Sequence, residues 1–231
     1  MKYNKLVEGI KKFEDSFWFG ECVYFKAIEE IKKRIRGNLS LLKEEDLEQI
    51  LEKIVKIFLV QWGMMGRTIN RKDVDWGKLS KQLRESKEVF KKLDNKSLLE
   101  INLEDEEIAK SIKKAYNSAK VKYIGPTAVS KILHLFNPEL FVMLDDEIRK
   151  EYECGGSAEG YLEFLKKMKE EIEEAIEEKA GEDKCSKKEA VEKICTGLPS
   201  DKLGEKYKKK TLAKLIDEYN WWVAHKKFQH S

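Results

Sequence analysis

Two adjacent carboxylates, Asp145 and Asp146, are the residues of this chain whose setting best suits chemistry. They follow a short apolar stretch, Phe141–Leu144, and begin the run Asp145–Arg149, which is typical of a helix start. A carboxylate at the edge of an apolar segment can act as an acid or base, or can stabilise developing positive charge. An aspartate at a helix start also commonly caps the free backbone amides of the first turn. The sequence leaves both interpretations open.

A glycine–proline turn lies upstream of these carboxylates and predicts a phosphate site. Pro126 at the first position of a helix costs no hydrogen bond, because that amide has no partner within the helix. Gly125 lets the backbone turn tightly and lets a bulky group approach. The amides of the first turn, around Thr127, then point outward at the positive end of the helix dipole. Three neighbouring lysines are candidates for further phosphate contacts: Lys120, Lys122 and Lys131.

The segment from Lys120 to Tyr152 resembles the helix-hairpin-helix DNA glycosylase superfamily. Members of that superfamily place a Leu-Pro-Gly-hydrophobic-Gly hairpin before a helix, and a catalytic Asp follows the last hairpin glycine at a spacing similar to the 20 residues between Gly125 and Asp145. The resemblance implies an all-α, glycosylase-like bundle that binds double-stranded DNA through backbone contacts. It also implies that Asp145 is the catalytic acid, with Asp146 as the reserve candidate, and that neither a metal nor another cofactor is needed.

The chain departs from the family pattern at the hairpin, where the turn reads Val121-Lys122-Tyr123-Ile124-Gly125. Thr127 stands where bifunctional members carry a lysine, and Lys131 lies just over one helical turn further on. The resemblance therefore favours a monofunctional glycosylase that uses a water nucleophile in base-excision repair. Two alternatives stay open: a non-catalytic helix-hairpin-helix module that binds nucleic acid or a partner, and a helical interaction domain with an accidental hairpin.

A second break in the helical pattern, Gln61–Arg67, carries two glycines, two methionines and a tryptophan. Glycines there permit a sharp turn, and the apolar side chains would be costly to leave in water. The segment is either a helix–helix corner packed into the core or a loop that lines a pocket or acts as a wedge, with Arg67 available for a phosphate. Met64, beside Trp62, is a candidate for the pocket or wedge. Base-stacking walls would come from aromatic residues, each of which is also a candidate core residue: Trp18, Phe19, Trp62, Trp221 and Trp222.

Apolar residues recur at steps of three and four through most of the chain, which predicts an all-α fold. The predicted hairpin arms are Leu103–Ala119 and Pro126–Phe136, and the second arm is expected at the centre of the bundle, with His134 as a packed core residue. Only Phe141–Leu144 is a candidate strand. Residues 1–153 are expected to form one helical region that carries the hairpin and the aspartates, and residues 154–231 to pack back on it.

Composition excludes several classes of protein. Charged residues make up 39% of the 231, and the formal net charge is +3, so global charge does not identify a partner. Neither a long apolar run nor a secretory leader is visible, which predicts a cytoplasmic protein. Abundant Lys and Glu with little Gln is typical of thermophilic proteins. The four cysteines lack zinc-site spacing and are expected to be free, although Cys185 has two possible disulfide partners, Cys154 and Cys195.

Overall fold

The computed structural model describes residues 1–35, 44–70, 72–198 and 209–225, without the side chains of residues 17–19 and 44. The fold is all-α, as predicted, and the described residues contain no strand. Trp18 and Phe19 fall among the side chains that are not described. The helices in chain order are α1 (Tyr3–Ile35), α2 (Glu44–Ile50), a π-helical turn (Leu51–Val55), α3 (Lys56–Gln61), α4 (Gly66–Ile69), α5 (Trp76–Glu85), α6 (Lys87–Leu93), α7 (Glu106–Ser118), α8 (Pro126–Phe136), α9 (Asp146–Glu151), α10 (Ala158–Asp183), α11 (Lys187–Gly197) and α12 (Leu212–His225).

The hairpin consists of α7 and α8, and its second arm lies in the core. The first arm is shorter than the predicted Leu103–Ala119, because the Asp105 side chain accepts hydrogen bonds from the amides of Glu107 and Ile108 and so begins the helix at Glu106. The second arm has the predicted bounds, Pro126–Phe136. Every residue from Ala128 to Leu135 is buried, so α8 is packed inside the bundle as expected.

The buried segment between α8 and α9 is extended but is not a strand. Its backbone groups bond to side chains of neighbouring helices instead of to another strand. The Ser130 hydroxyl accepts a hydrogen bond from the amide of Leu144 at 2.9 Å, and the Tyr161 hydroxyl donates to the carbonyl of Val142 at 2.8 Å. These bonds satisfy a buried irregular backbone and fix the position at which α9 begins.

His134 holds the same segment from the centre of α8. Its Nδ1 lies 2.6 Å from the carbonyl oxygen of Phe141, which can only accept, so Nδ1 carries the proton. Nε2 therefore accepts from the Tyr24 hydroxyl at 2.9 Å. Burial lowers the pKa of His134 to about 3, so the imidazole is neutral at physiological pH. The prediction of a packed core histidine is confirmed.

The longest helix, α1, packs along α12, and α10 packs against α7 and α1. The helices that follow residue 154 thus pack on those that precede it. Gly9 permits the close approach of α1 and α12, because a Cβ at this position would lie 2.7 Å from the Tyr219 ring and 2.9 Å from the Trp222 ring. Whether residues 154–231 can fold alone stays a prediction.

Candidate functional site

A cavity of about 560 Å³ opens beside the first turn of α8. Its walls come from α1, from the segment around α3 and α4, from α8, from the start of α9, and from one face of α12. The pocket therefore joins parts of the sequence that were considered separately, including Trp62, Met64 and Arg67 from the second break and Thr127 from the hairpin. Its volume lies within the range of about 300–1,000 Å³ that is typical of small-molecule sites.

The segment between α3 and α4 forms one wall and part of the rim. Its backbone is tied to α3, since the amides of Trp62 and Gly63 both donate to the carbonyl of Phe58. A Cβ on Gly63 would lie only 2.6 Å from the Leu59 carbonyl oxygen, so this turn requires glycine. Met64 follows with φ of 53° and a side chain that is 78% exposed. The segment is therefore a rigid lip that presents an apolar side chain to solvent, and a corner packed wholly in the core is excluded.

Trp62 lies inside this lip and is fixed by its neighbours. Its ring stacks on Phe58 with centroids 5.0 Å apart and an interplanar angle of 12°. The ammonium groups of Lys131 and Lys214 lie 5.2 and 4.9 Å from the centroid of the Trp62 ring. Such cation–π contacts stabilise ammonium groups that have left water. Trp62 thus links the pocket to two buried lysines.

Lys131 points into the pocket from the second turn of α8. Its side chain is 8% exposed and makes no hydrogen bond or ion pair with any residue that the structure describes. Burial lowers the pKa of Lys131, and the nearby carboxylates of Asp217 and Asp145 only partly oppose this. The sequence grouped Lys131 with the phosphate-binding lysines of the hairpin. The structure places its side chain inside the pocket, and its contact with a phosphate stays a prediction.

Asp217 enters the pocket from α12, opposite this lysine. It is 5% exposed and lacks a hydrogen bond within the described part of the chain, and its ion pair with Lys214 is long at 3.6 Å. Burial raises the pKa of Asp217 to about 6, although Lys214 and Lys131 act in the opposite direction. Trp221 and His225 follow it at four-residue steps and also line the pocket, stacked with their centroids 4.4 Å apart.

Sequence reasoning gave no role to Asp217, although the signal was present. The residues of α12 from Leu212 to Asn220 are all buried, and they include the charged residues Lys214, Asp217 and Glu218. Charged side chains at buried helical positions are rare unless they are paired or functional. Periodicity alone did not reveal this, because it could not show that the polar face of α12 is covered by α1.

Asp145 and Asp146 both line the pocket but differ in their bonding. Asp145 caps α9, since its Oδ1 accepts from the amide of Ile148 at 2.8 Å, and its Oδ2 has no bond to a described residue. Asp146 is more exposed, and its Oδ1 accepts from Arg149 at 2.7 Å and from the Thr127 hydroxyl at 3.3 Å. In each carboxylate Oδ1 is bonded and Oδ2 has no bond to a described residue, so the two differ mainly in that Asp145 caps a helix and is the less exposed.

The turn of the hairpin presents a small basic surface near the pocket. Lys120 and Lys122 are exposed, and Lys122 lies 4.9 Å from the centroid of the Tyr123 ring. Lys72, which sequence reasoning missed, lies 5.6 Å from the same ring. A Cβ built on Gly125 would meet no atom within 4 Å, and the N-terminus of α8 has no side-chain cap. The backbone at this turn is therefore accessible to a bulky anion.

The described residues contain no group of His, Cys, Asp or Glu that could hold a metal ion. All four cysteines are free. In the part of the chain that is described, no helix has the length and apolar character needed to cross a membrane.

Comparison with known proteins adds no relative: no family model, curated protein or solved structure matches the chain. Function has to be inferred from the pocket and the hairpin surface themselves.

Proposed function

We propose that the chain binds duplex DNA through the hairpin and takes a single base into the pocket, where it cleaves the bond between base and sugar. The observation that carries this proposal is the pair formed by Lys131 and Asp217. Both are more than nine-tenths buried, both face the cavity, and neither makes a hydrogen bond within the described residues. Buried polar side chains left without hydrogen bonds are costly, so the pocket is suited to a ligand that supplies them.

A nucleobase fits the chemistry of these walls. It is flat and aromatic, and its edge offers hydrogen-bond donors and acceptors side by side. Asp217 can accept from a base N–H, and Lys131 can donate to a base nitrogen or carbonyl oxygen. Trp221 and Met65 provide apolar surface between these groups and the rim. A base reaches such a pocket only after leaving the helical stack, at a cost of a few kcal/mol.

The basic surface at the hairpin turn suits the DNA that would carry the base. Lys72 and Lys122 flank Tyr123, and the free amides at the start of α8 lie beside them. Arg67 adds a positive charge at the rim, while Glu147 and Asp146, whose Oδ1 accepts from the Thr127 hydroxyl, add negative charge near the first turn of α8. Phosphates would therefore approach from the side of Lys72, Lys122 and Arg67. Met64, exposed at this rim, could fill the space that the displaced base leaves.

Asp145 is the group proposed to act on the sugar. Its free oxygen can stabilise positive charge on the sugar as the base leaves, and can orient water. Lys131 offers a second nucleophile, because burial favours its neutral amine. This possibility differs from the expectation based on Thr127, since the amine would come from one turn further along α8.

The test is to incubate the protein with duplexes that carry deaminated, oxidised or alkylated bases and to measure released base and abasic sites. Sodium borohydride in parallel reactions would trap an amine adduct as a covalent complex. If the parent forms a trapped complex with DNA and Lys131→Gln does not, Lys131 is the nucleophile. If the parent releases base but forms no trapped complex, water is the nucleophile. If the protein releases no base from any of these duplexes, the proposed glycosylase activity is refuted.

The second candidate is a DNA-binding module without catalysis. The observation in its favour is the bond between Asp145 and the Ile148 amide, which is a complete helix cap without any ligand. Salt-dependent binding of duplex DNA with no release of any base would support this module. If the protein also fails to bind duplex DNA, the remaining interpretation is a helical domain that interacts with another protein.

A further inference from the structure

Behind the pocket lies a group of buried charges, here called the ion cluster: Glu14 and Glu21 of α1, and Lys210, Lys214, Asp217 and Glu218 in or next to α12. All six side chains are almost completely buried. Of these, Asp217 is the member that lines the pocket. The cluster thus has a single group through which it can exchange a proton with a bound ligand.

The contacts within the ion cluster are unequal. Lys210 lies 2.7 Å from Glu14, 3.1 Å from Glu21 and 2.6 Å from Glu218. Lys214 lies 3.2 Å from Glu21 and 2.9 Å from Glu218, but 3.6 Å from Asp217. Asp217 is therefore the carboxylate that receives the least support from the two ammonium groups.

Among the residues that the structure describes, the ion cluster holds four carboxyl groups and two ammonium groups. A buried net charge is costly, so ionisation of all four carboxyl groups is disfavoured. The two lysines hold the pKa of Glu21 below its usual value despite its burial, whereas burial raises the pKa of Asp217 to about 6 and that of Glu218 to about 7. The higher of these two values belongs to Glu218, but Glu218 does not line the pocket, so Asp217 is the carboxyl group of the cluster whose proton a bound ligand can reach.

Other charges also face Asp217. Lys131 approaches from α8, Asp145 from the start of α9, and Glu21 from α1, in addition to Lys214 of its own helix. An ionised Lys131 would favour the carboxylate form of Asp217. Burial lowers the pKa of Lys131 and so weakens this effect.

We propose that Asp217 is the proton donor to the departing base, a role that rests on the proposed base excision. The bond between the sugar C1′ and the base nitrogen breaks, and its electron pair stays on the base. The base takes the proton of the Asp217 carboxyl group. Water adds to C1′ through its oxygen and gives its proton to Asp145, so the products are the protonated base and an abasic sugar with a hydroxyl group at C1′. Exchange with solvent through the pocket returns both carboxyl groups to their starting states.

The experiment compares two forms of whichever base the parent protein releases: the unmodified base, and the same base made a better leaving group by N7-methylation of a purine or 5-fluorination of a pyrimidine. Single-turnover rates are measured for the parent and Asp217→Asn. General acid catalysis contributes about 10²–10⁴-fold. We expect Asp217→Asn to lose about 100-fold or more on the unmodified base and only a few-fold on the activated base.

Glu14→Gln is the matched control, because Glu14 belongs to the same ion cluster but does not line the pocket. It should keep the parent's ratio of rates on the two substrates. If Asp217→Asn lowers the rate equally on both substrates, Asp217 has only a structural role and the proposal fails. If the variant keeps the parent's rate on both substrates, the proposal is also overturned. Failure of the parent to release any base would refute the proposed function itself.

The parent protein gives a second test that does not depend on folding of the variant. Its rate on the unmodified base should fall as pH rises above about 6, where Asp217 loses its proton, and its rate on the activated base should not. Identical pH profiles for the two substrates would contradict the role of Asp217 as an acid.

Discussion

Asp145 shows how one side chain can serve both folding and chemistry. Its Oδ1 caps α9, and its Oδ2 faces the pocket without a described partner. Asparagine keeps a carbonyl oxygen for the cap but loses the negative charge. We expect Asp145→Asn to retain the parent's melting temperature within a few degrees and its DNA affinity, and to release bases at least about 100-fold more slowly.

Asp146→Asn is the matched comparison. Asp146 is exposed and pairs with Arg149 at the surface, and such pairs contribute about 0–1 kcal/mol. This variant should excise as fast as the parent. If the parent and both variants release bases at equal rates, Asp145 serves only as a helix cap. If Asp146→Asn alone loses base release, Asp146 is the catalytic residue.

His134 predicts a pH dependence of stability that can be assigned to one residue. Its folded pKa of about 3 lies below the value of 6.5 for an ordinary histidine, so the unfolded chain binds a proton more readily than the folded chain in this interval. The contribution of His134 to stability is therefore present above pH 6.5 and declines as pH falls toward 3. The expected slope is about 1.4 kcal/mol per pH unit.

The measurement is urea unfolding of the parent and His134→Gln between pH 6.5 and 4.5. Glutamine keeps polar atoms near the Phe141 carbonyl and Tyr24 hydroxyl but does not titrate. Asp217 and Glu218 act in the opposite direction, because their raised pKa values stabilise the fold as pH falls through 7 and 6 toward their unfolded values. The difference between the two proteins isolates His134, and parallel pH curves would contradict its neutral, buried state.

Among the elements, the hairpin was the easiest to predict, whereas the burial of the charged residues of α12 was not predicted. Pro126 fixes the start of α8 and Asn137 with Pro138 follows its end, so local residue types determine its bounds. Phe141–Leu144 resembles a strand because it is apolar and buried, yet its partners are side chains of Ser130, His134 and Tyr161. Those partners are set by tertiary packing, which short-range patterns do not encode.

The hairpin turn carries the binding prediction at this scale. Replacement of Lys120 and Lys122 with Glu should weaken binding to duplexes of any sequence and lower the salt dependence of the affinity, because fewer counterions are released from the phosphates. Fluorescence anisotropy at several salt concentrations measures both effects. Lys187→Glu with Lys188→Glu is the control, since it makes the same charge change on α11, which does not line the pocket. If the affinity of the hairpin variant depends on salt concentration as that of the parent does, the helical interaction domain becomes the favoured interpretation.

At the scale of the whole molecule, the ion cluster joins the first helix to the last. Glu14 and Glu21 reach it from α1, and Lys214 and Glu218 reach it from α12. The periodicity of each helix predicted that both would pack on a core, but pairing of residues about 200 positions apart cannot be deduced from either helix alone. The pocket could not be deduced from single helices for the same reason. Asp217 becomes part of a pocket because α12 lies near α8 and the lip at Met64 in the folded chain.

The ion cluster gives a stability prediction with a clear sign. Lys214→Met removes one of two ammonium groups and leaves Glu21 and Glu218 buried with less neutralisation. Loss of one partner from a buried ion pair costs about 3–5 kcal/mol, whereas replacement of both partners is often neutral. Guanidinium unfolding should show a loss of about that size for Lys214→Met, and partial recovery in the double variant with Glu218→Gln.

A surface pair provides the control for this effect. Lys150 and Glu147 lie 2.7 Å apart, but Lys150 is 71% exposed. Water already solvates these charges, so Lys150→Met should change the free energy of unfolding by less than about 1 kcal/mol. Equal effects of the Lys150 and Lys214 substitutions would show that the ion cluster is not closed to water. In that case Asp217 would have no need to retain a proton.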